Sequence, residues 1–128
     1  MGGDGVEGAV AIVADDAGGR ESLAALLEVH GFRARQYRSA EAFLAAAGAL
    51  DGLGCLVVDL STAGIRGLEL LDRLAAAAPP PPAILIADEV TDPLRLHAQE
   101  AGAVAVLDRQ EPPLALVAQV RRAAGFCR

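Results

Sequence analysis

A single α/β domain is the fold class the sequence predicts: a five-stranded parallel sheet, doubly wound as (βα)5 with helices on both faces. Three observations carry this. Short apolar runs recur at Ala9–Ala14, Cys55–Val58, Ala83–Ala87 and Ala103–Leu107, the continuous pattern of strands covered on both sides. Stretches with apolar residues at helical spacing lie between them, so strand and helix alternate. The connections are short, and right-handed crossovers then make the sheet parallel.

The elements follow in order. Met1–Gly8 is glycine-rich and acidic, a flexible start and not a signal peptide. Ala9–Ala14 is the first strand and runs into Asp15 and Asp16. Leu23, Leu26, Leu27 and His30 mark a helix that Gly31 stops; His30 reads as a helix-end residue favoured by the dipole. Phe32–Tyr37 alternates apolar with polar residues, as an outer strand would. Ser39 caps a second helix holding Phe43 and Leu44 and reaching Ala47. The third strand ends on Asp59.

Ser61–Gly64 is a loop, and Leu68, Leu71 and Leu74 mark a helix to about Ala77. Pro79–Pro82 is an extended connector. Ala83–Ala87 ends on Asp88 and Glu89. Asp92 with Pro93 reads as a cap and first-turn proline, and Gly102 ends that helix. Ala103–Leu107 is the fifth strand, and Pro112 or Pro113 opens a last helix to about Ala124. The expected domain is 9–125, with 126–128 a tail.

Composition narrows the function classes. Apolar residues make up 53% of the 128-residue chain and aromatics 3%, so the core is aliphatic and one domain is expected. The formal net charge of -6 argues against direct nucleic-acid binding or an anionic membrane surface. No apolar run approaches the roughly 20 residues of a membrane span. Cys55 lies within a strand and reads as core, and Cys127 as a free solvated thiol; two such cysteines fit a reducing cytoplasm. Asp-Asp-Ala-Gly-Gly at 15–19 is neither a P-loop nor a dinucleotide fingerprint, and no second catalytic base stands out, so an enzyme is not expected.

The chemistry concentrates at strand ends, where ligands gather in open α/β sheets. With the first and third strands adjacent, Asp15, Asp16 and Asp59 converge on one edge. Clustered carboxylates repel unless a cation lies between them, and hard oxygens suit Mg²⁺ or Mn²⁺. Such an ion beside a carboxylate makes phosphoryl transfer onto it plausible.

Arg20-Glu-Ser-Leu-Ala-Ala-Leu-Leu27 with Gly31-Phe32, Ser39-Ala-Glu-Ala-Phe-Leu44, Cys55-Leu-Val-Val-Asp-Leu60, Gly67-Leu-Glu-Leu-Leu71 and Gly102-Ala-Val104 together resemble the receiver domain of bacterial two-component response regulators. The resemblance is nearest to the subgroup regulating nitrogen fixation and nodulation, and covers nearly the whole chain. It implies a flavodoxin-like receiver fold in the bacterial cytoplasm. It also implies phosphorylation of Asp59 by a histidine kinase or phosphotransfer protein, with Mg²⁺ held by Asp15, Asp16, Asp59 and the backbone carbonyl of Ser61. Counting back from Arg20 sets the family's acidic pair on Ala14 and Asp15; counting back from Asp59 sets it on Asp15 and Asp16.

Several positions depart from the family. The switch Thr or Ser is Ala87, the aromatic switch residue is Val106, and the Lys after the fifth strand is Arg109. The proline that forms a cis bond after that Lys is Gln110. A cis bond before a non-proline costs about 2.5–4 kcal/mol, so a trans bond and a displaced loop are expected. Two functions therefore stand: a receiver that accepts phosphate on Asp59, or a pseudo-receiver acting as a phosphorylation-independent interaction module. The sequence ends with the fifth helix and Gly125-Phe-Cys-Arg128, so output through a downstream protein effector is expected. The face of helix four, strand five and helix five, with Arg95, Glu100, Arg121 and Arg122, is the expected surface for that partner or for a homodimer.

Overall fold

Cys55, Leu56, Val57 and Val58 have no solvent-exposed surface, and the strand that contains them is the centre of the sheet. A computed structural model describes residues 8–60, 65–76 and 80–124, apart from the side chains of 65 and 66. The elements are β1 (Ala9–Val13), α1 (Ala17–Val29), β2 (Arg33–Tyr37), α2 (Ala40–Ala45), β3 (Leu53–Asp59), α3 (Ile65–Leu74), β4 (Ala83–Ala87), α4 (Asp92–Glu100), β5 (Ala103–Asp108) and α5 (Pro113–Ala123). All strands are parallel, in the order β2-β1-β3-β4-β5. The predicted (βα)5 fold is therefore the observed one.

Strand alternation sends side chains to two separate cores. Val10, Ile12, Cys55, Val57, Ile84 and Leu107 pack with residues of α1 and α5. Ala11, Val13, Leu56, Val58, Leu85 and Val106 pack with residues of α2, α3 and α4. Fully burying a Val, Leu or Ile contributes roughly 1.5–3 kcal/mol, so β1, β3 and β4 anchor the domain. β2 lies at the edge, and all five of its residues are exposed or only partly buried, without the alternation its sequence suggests.

The local signals act as their chemistry requires. Ser39 Oγ accepts from the Ala42 N–H at 2.9 Å, and Gly31 has φ 95°, a left-handed conformation that suits glycine after a helix. His30 is the C-cap of α1. The cap of α4 is Thr91 and not Asp92: the Thr91 hydroxyl accepts from the Leu94 N–H at 3.2 Å. Asp92 and Pro93 instead occupy the first turn, where N–H groups have no helical acceptor. α2 stops at Ala45, two residues early, because Ala46 is extended at ψ 123°. β1 stops at Val13, and Ala14 is a buried link to the next loop. Residues 1–7, the Ser61–Gly64 loop, Pro79 and the end from Gly125, Cys127 included, lie outside the described residues. No helix among the described residues is long and apolar enough to cross a membrane.

Candidate functional site

Asp59 ends β3 and is 3% exposed, the one buried charged or polar residue among those described. A buried carboxylate is costly unless paired and hydrogen-bonded. Arg109 Nη2 donates to Asp59 Oδ1. Arg109 directly follows β5, two strands away from β3, and reaches Asp59 through its long side chain. Its backbone N–H donates to the Ala87 carbonyl at 2.8 Å, and its Nε donates to Asp88 Oδ1 at 2.6 Å. Burial alone would lower the pKa of this guanidinium, but the hydrogen bonds and charges of Asp88 and Asp59 outweigh it and hold the pKa above its ordinary value.

Acids also close the turn that carries Arg109. The Gln110 N–H donates to Asp108 Oδ1 at 2.8 Å, and the Asp108 N–H donates to Glu111 Oε2 at 3.0 Å. The Glu111 N–H donates to the Asp108 carbonyl at 2.9 Å.

The end of β1 adjoins that of β3, since Val13 pairs with Val58. Ala14 is buried; its N–H donates to the Tyr37 carbonyl at 3.1 Å. Arg20 Nη1 donates to the Ala14 carbonyl at 2.8 Å and the Asp15 carbonyl at 3.5 Å. Asp15 is exposed at this edge. Asp16 caps α1, with Oδ2 accepting from the Gly19 N–H at 2.7 Å. Among the described residues no three His, Cys, Asp or Glu side chains form a group that could hold a metal ion. The carboxylates of Asp15 and Asp59, leaving adjacent strand ends, are the hard oxygen donors a Mg²⁺ ion favours. The carboxylate of Asp16 is committed to its helix, and Ser61 lies outside the described residues.

Ala87 and Val106 are both buried, 4% and 8% exposed, and neither side chain carries a polar atom. The Asp88–Arg109 contact is the feature sequence reading missed. Its signal is the pairing of Ala87 with Asp108 across β4 and β5, which makes residues 88 and 109 neighbours. A pocket of about 380 Å³ opens alongside, between α1 and α5, lined in part by Leu23, Leu26, Ile86, Leu107, Leu116 and Arg109. Leu96 of α4, Val104 of β5 and Leu114 of α5 are more than half exposed. Arg121 does not join them: its guanidinium carbon lies 5.3 Å from the ring centre of Phe32, which belongs to the α1–α5 core.

Comparison with known proteins agrees with this architecture. Residues 10–121 match the family model of the response regulator receiver domain. The transcriptional regulatory protein FixJ of Azorhizobium caulinodans is 40% identical over 116 residues, 91% of this chain and 54% of that protein. FixJ of Rhizobium meliloti is 35% identical over 114 residues, 89% of this chain and 55% of its own length. The chain thus spans about half the length of the curated relatives it matches. The crystal structure of FixJ-N superposes with a TM-score of 0.81 at 32% identity, covering 94% of this chain and 96% of that one.

Proposed function

Because the chain belongs to the response regulator receiver domain family, we propose that it works in two-component signalling by accepting a phosphoryl group on Asp59. The observation that carries this reading is the Asp59–Arg109 pair: a buried strand-end carboxylate with a cation at its oxygen. A kinase or phosphotransfer protein presents a phosphohistidine. An Asp59 oxygen forms a bond to phosphorus as the P–N bond breaks, and the histidine leaves with that electron pair. Arg109, already on Oδ1, would hold the transferred phosphoryl oxygens by charge-assisted hydrogen bonds. Mg²⁺, held by Asp15 and Asp59 with the Ser61 carbonyl, would neutralise charge on the phosphoryl group. Asp16 would contribute from the cap position only by turning away from Gly19.

Output would pass to a protein effector in the bacterial cytoplasm. The exposed Leu96, Val104 and Leu114 support the α4–β5–α5 face as the place where an effector or a second copy docks, with Arg95, Glu100 and Arg122 as flanking charges. The test is incubation with Mg²⁺ and beryllofluoride or a small phosphodonor, read by ¹⁹F NMR and intact mass. An adduct in the wild type and none in Asp59→Asn is expected. No adduct at millimolar Mg²⁺ would remove the proposal.

The apolar, buried Ala87 and Val106 favour a second reading, a phosphorylation-independent interaction module. Partner binding unchanged by Asp59→Asn would select it.

A further inference from the structure

Arg109 is fixed at two strand ends by three bonds: to the Ala87 carbonyl and the Asp88 carboxylate at the end of β4, and to the Asp59 carboxylate at the end of β3. The guanidinium is a rigid plane, so Nε and Nη2 cannot move independently. Whatever pulls Nη2 toward Asp59 therefore shifts Nε against Asp88. We infer that Asp88 is a positioning residue. It orients the Arg109 fork on Asp59 and carries a change of charge there into the turn 88–91. This rests on the phosphoacceptor reading and deepens it.

Unequal burial decides which contact yields. Asp59 has a side chain 4% exposed and Asp88 one 68% exposed. The Asp88 contact is screened by water and is the weaker of the two. A doubly charged phosphoryl group on Asp59 would raise the pull on the guanidinium from that side, and the exposed contact would lengthen first. Asp88 begins the short turn that ends at Thr91, the cap of α4. Releasing Asp88 frees the turn and with it the start of α4. Ala87 cannot carry the message through its side chain, since a methyl group has no charge to follow.

The experiment compares amide NMR spectra of wild type, Asp88→Asn and Asp88→Glu with and without Mg²⁺ and beryllofluoride. Residue 88 is exposed, so both variants are expected to fold. In the wild type, the adduct should move amides near Asp59 and also those of Glu89, Val90, Thr91 and Leu94. In Asp88→Asn the adduct should still form and move Val58 and Arg109, while the shifts at 89–94 are lost. Asp88→Glu should restore them, which a merely structural role for residue 88 would not require. Equal shifts at 89–94 in wild type and Asp88→Asn would overturn the inference while leaving the phosphoacceptor reading in place. No adduct in the wild type would overturn that reading, and this inference with it.

Discussion

Replacing Arg109 should harm the fold more than replacing Asp59, although the two form one pair. Arg109→Ala leaves a carboxylate whose side chain is 4% exposed without its guanidinium. Removing one partner of a fully buried ion pair costs about 3–5 kcal/mol. The Arg109 side chain is 42% exposed, and solvent screening discounts that figure to roughly 1.5–3 kcal/mol. For a chain of this size each kcal/mol lowers Tm by about 3–5 °C, so a drop of roughly 5–15 °C is expected. Asp59→Asn leaves a half-exposed cation still held by Asp88 and water, and should lie within about 1 kcal/mol of the wild type. With Asn at 59 there is no buried charge to neutralise, so adding Arg109→Ala should change little more. The assay is urea unfolding of wild type, both single variants and the double variant, with divalent ions chelated. A coupling energy of about 1.5–3 kcal/mol closes the cycle. An Arg109→Ala protein no less stable than Asp59→Asn, or a coupling within about 0.5 kcal/mol of zero, would refute a buried charge neutralised by Arg109.

Three further perturbations test other parts of the molecule. Asp16→Ala removes the acceptor for the Gly19 N–H and should cost about 0.5–2 kcal/mol in urea unfolding, whereas Asp16→Asn keeps the cap and most of the stability. Leu85→Ala in the middle of β4, at a residue with no exposed surface, should cost about 2–5 kcal/mol by the same measurement. Burial pushes the Cys55 thiol from its ordinary 9.0 up to about 12. Below the lower value both folded and unfolded chains hold that proton, so its contribution is constant. Above it only the unfolded chain ionises, and stability should fall by about 1.4 kcal/mol per pH unit until the folded thiol also titrates. Subtracting the pH profile of Cys55→Ala isolates this slope; an identical profile in both proteins would refute it.

Strand identity is legible because each buried strand is an apolar run, and Asp59 because it falls where such a run ends, whereas Arg109 is singled out only by the family resemblance. Other features depend on geometry the sequence does not encode locally. Thr91 and Asp92 are both cap-forming residues, and Pro93 fits the first or second helical position equally well. Only the backbone angles at residue 91 choose between them. The double role open to Asp16 has a similar origin. The end of β1 and the start of α1 occupy the same few residues, so a carboxylate there can face the site or the helix amides. The observed bond to Gly19 chooses the helix. The Asp88–Arg109 contact spans 21 residues and exists only through the pairing of β4 with β5, which no local pattern announces.

The position of Arg109 explains why arginine and lysine are not equivalent there. Neighbouring parallel strands lie about 4.8 Å apart, and β5 is two strands from β3. The Arg109 N–H bond to the Ala87 carbonyl continues the β4–β5 ladder, so the long side chain has to pass the end of β4 to reach Asp59. From there the guanidinium serves Asp88 and Asp59 through different nitrogens. A lysine has one ammonium nitrogen and would be drawn to the carboxylate with less water around it, Asp59, abandoning Asp88. Arg109→Lys should therefore cost only the value of an exposed pair, about 0.2–1 kcal/mol. The sharper expectation concerns residue 88: Asp88→Asn should lower stability in the arginine protein and leave the lysine protein unchanged. Equal losses in both backgrounds would mean that Asp88 acts without Arg109, and the bridging role assigned to the guanidinium would have to be abandoned.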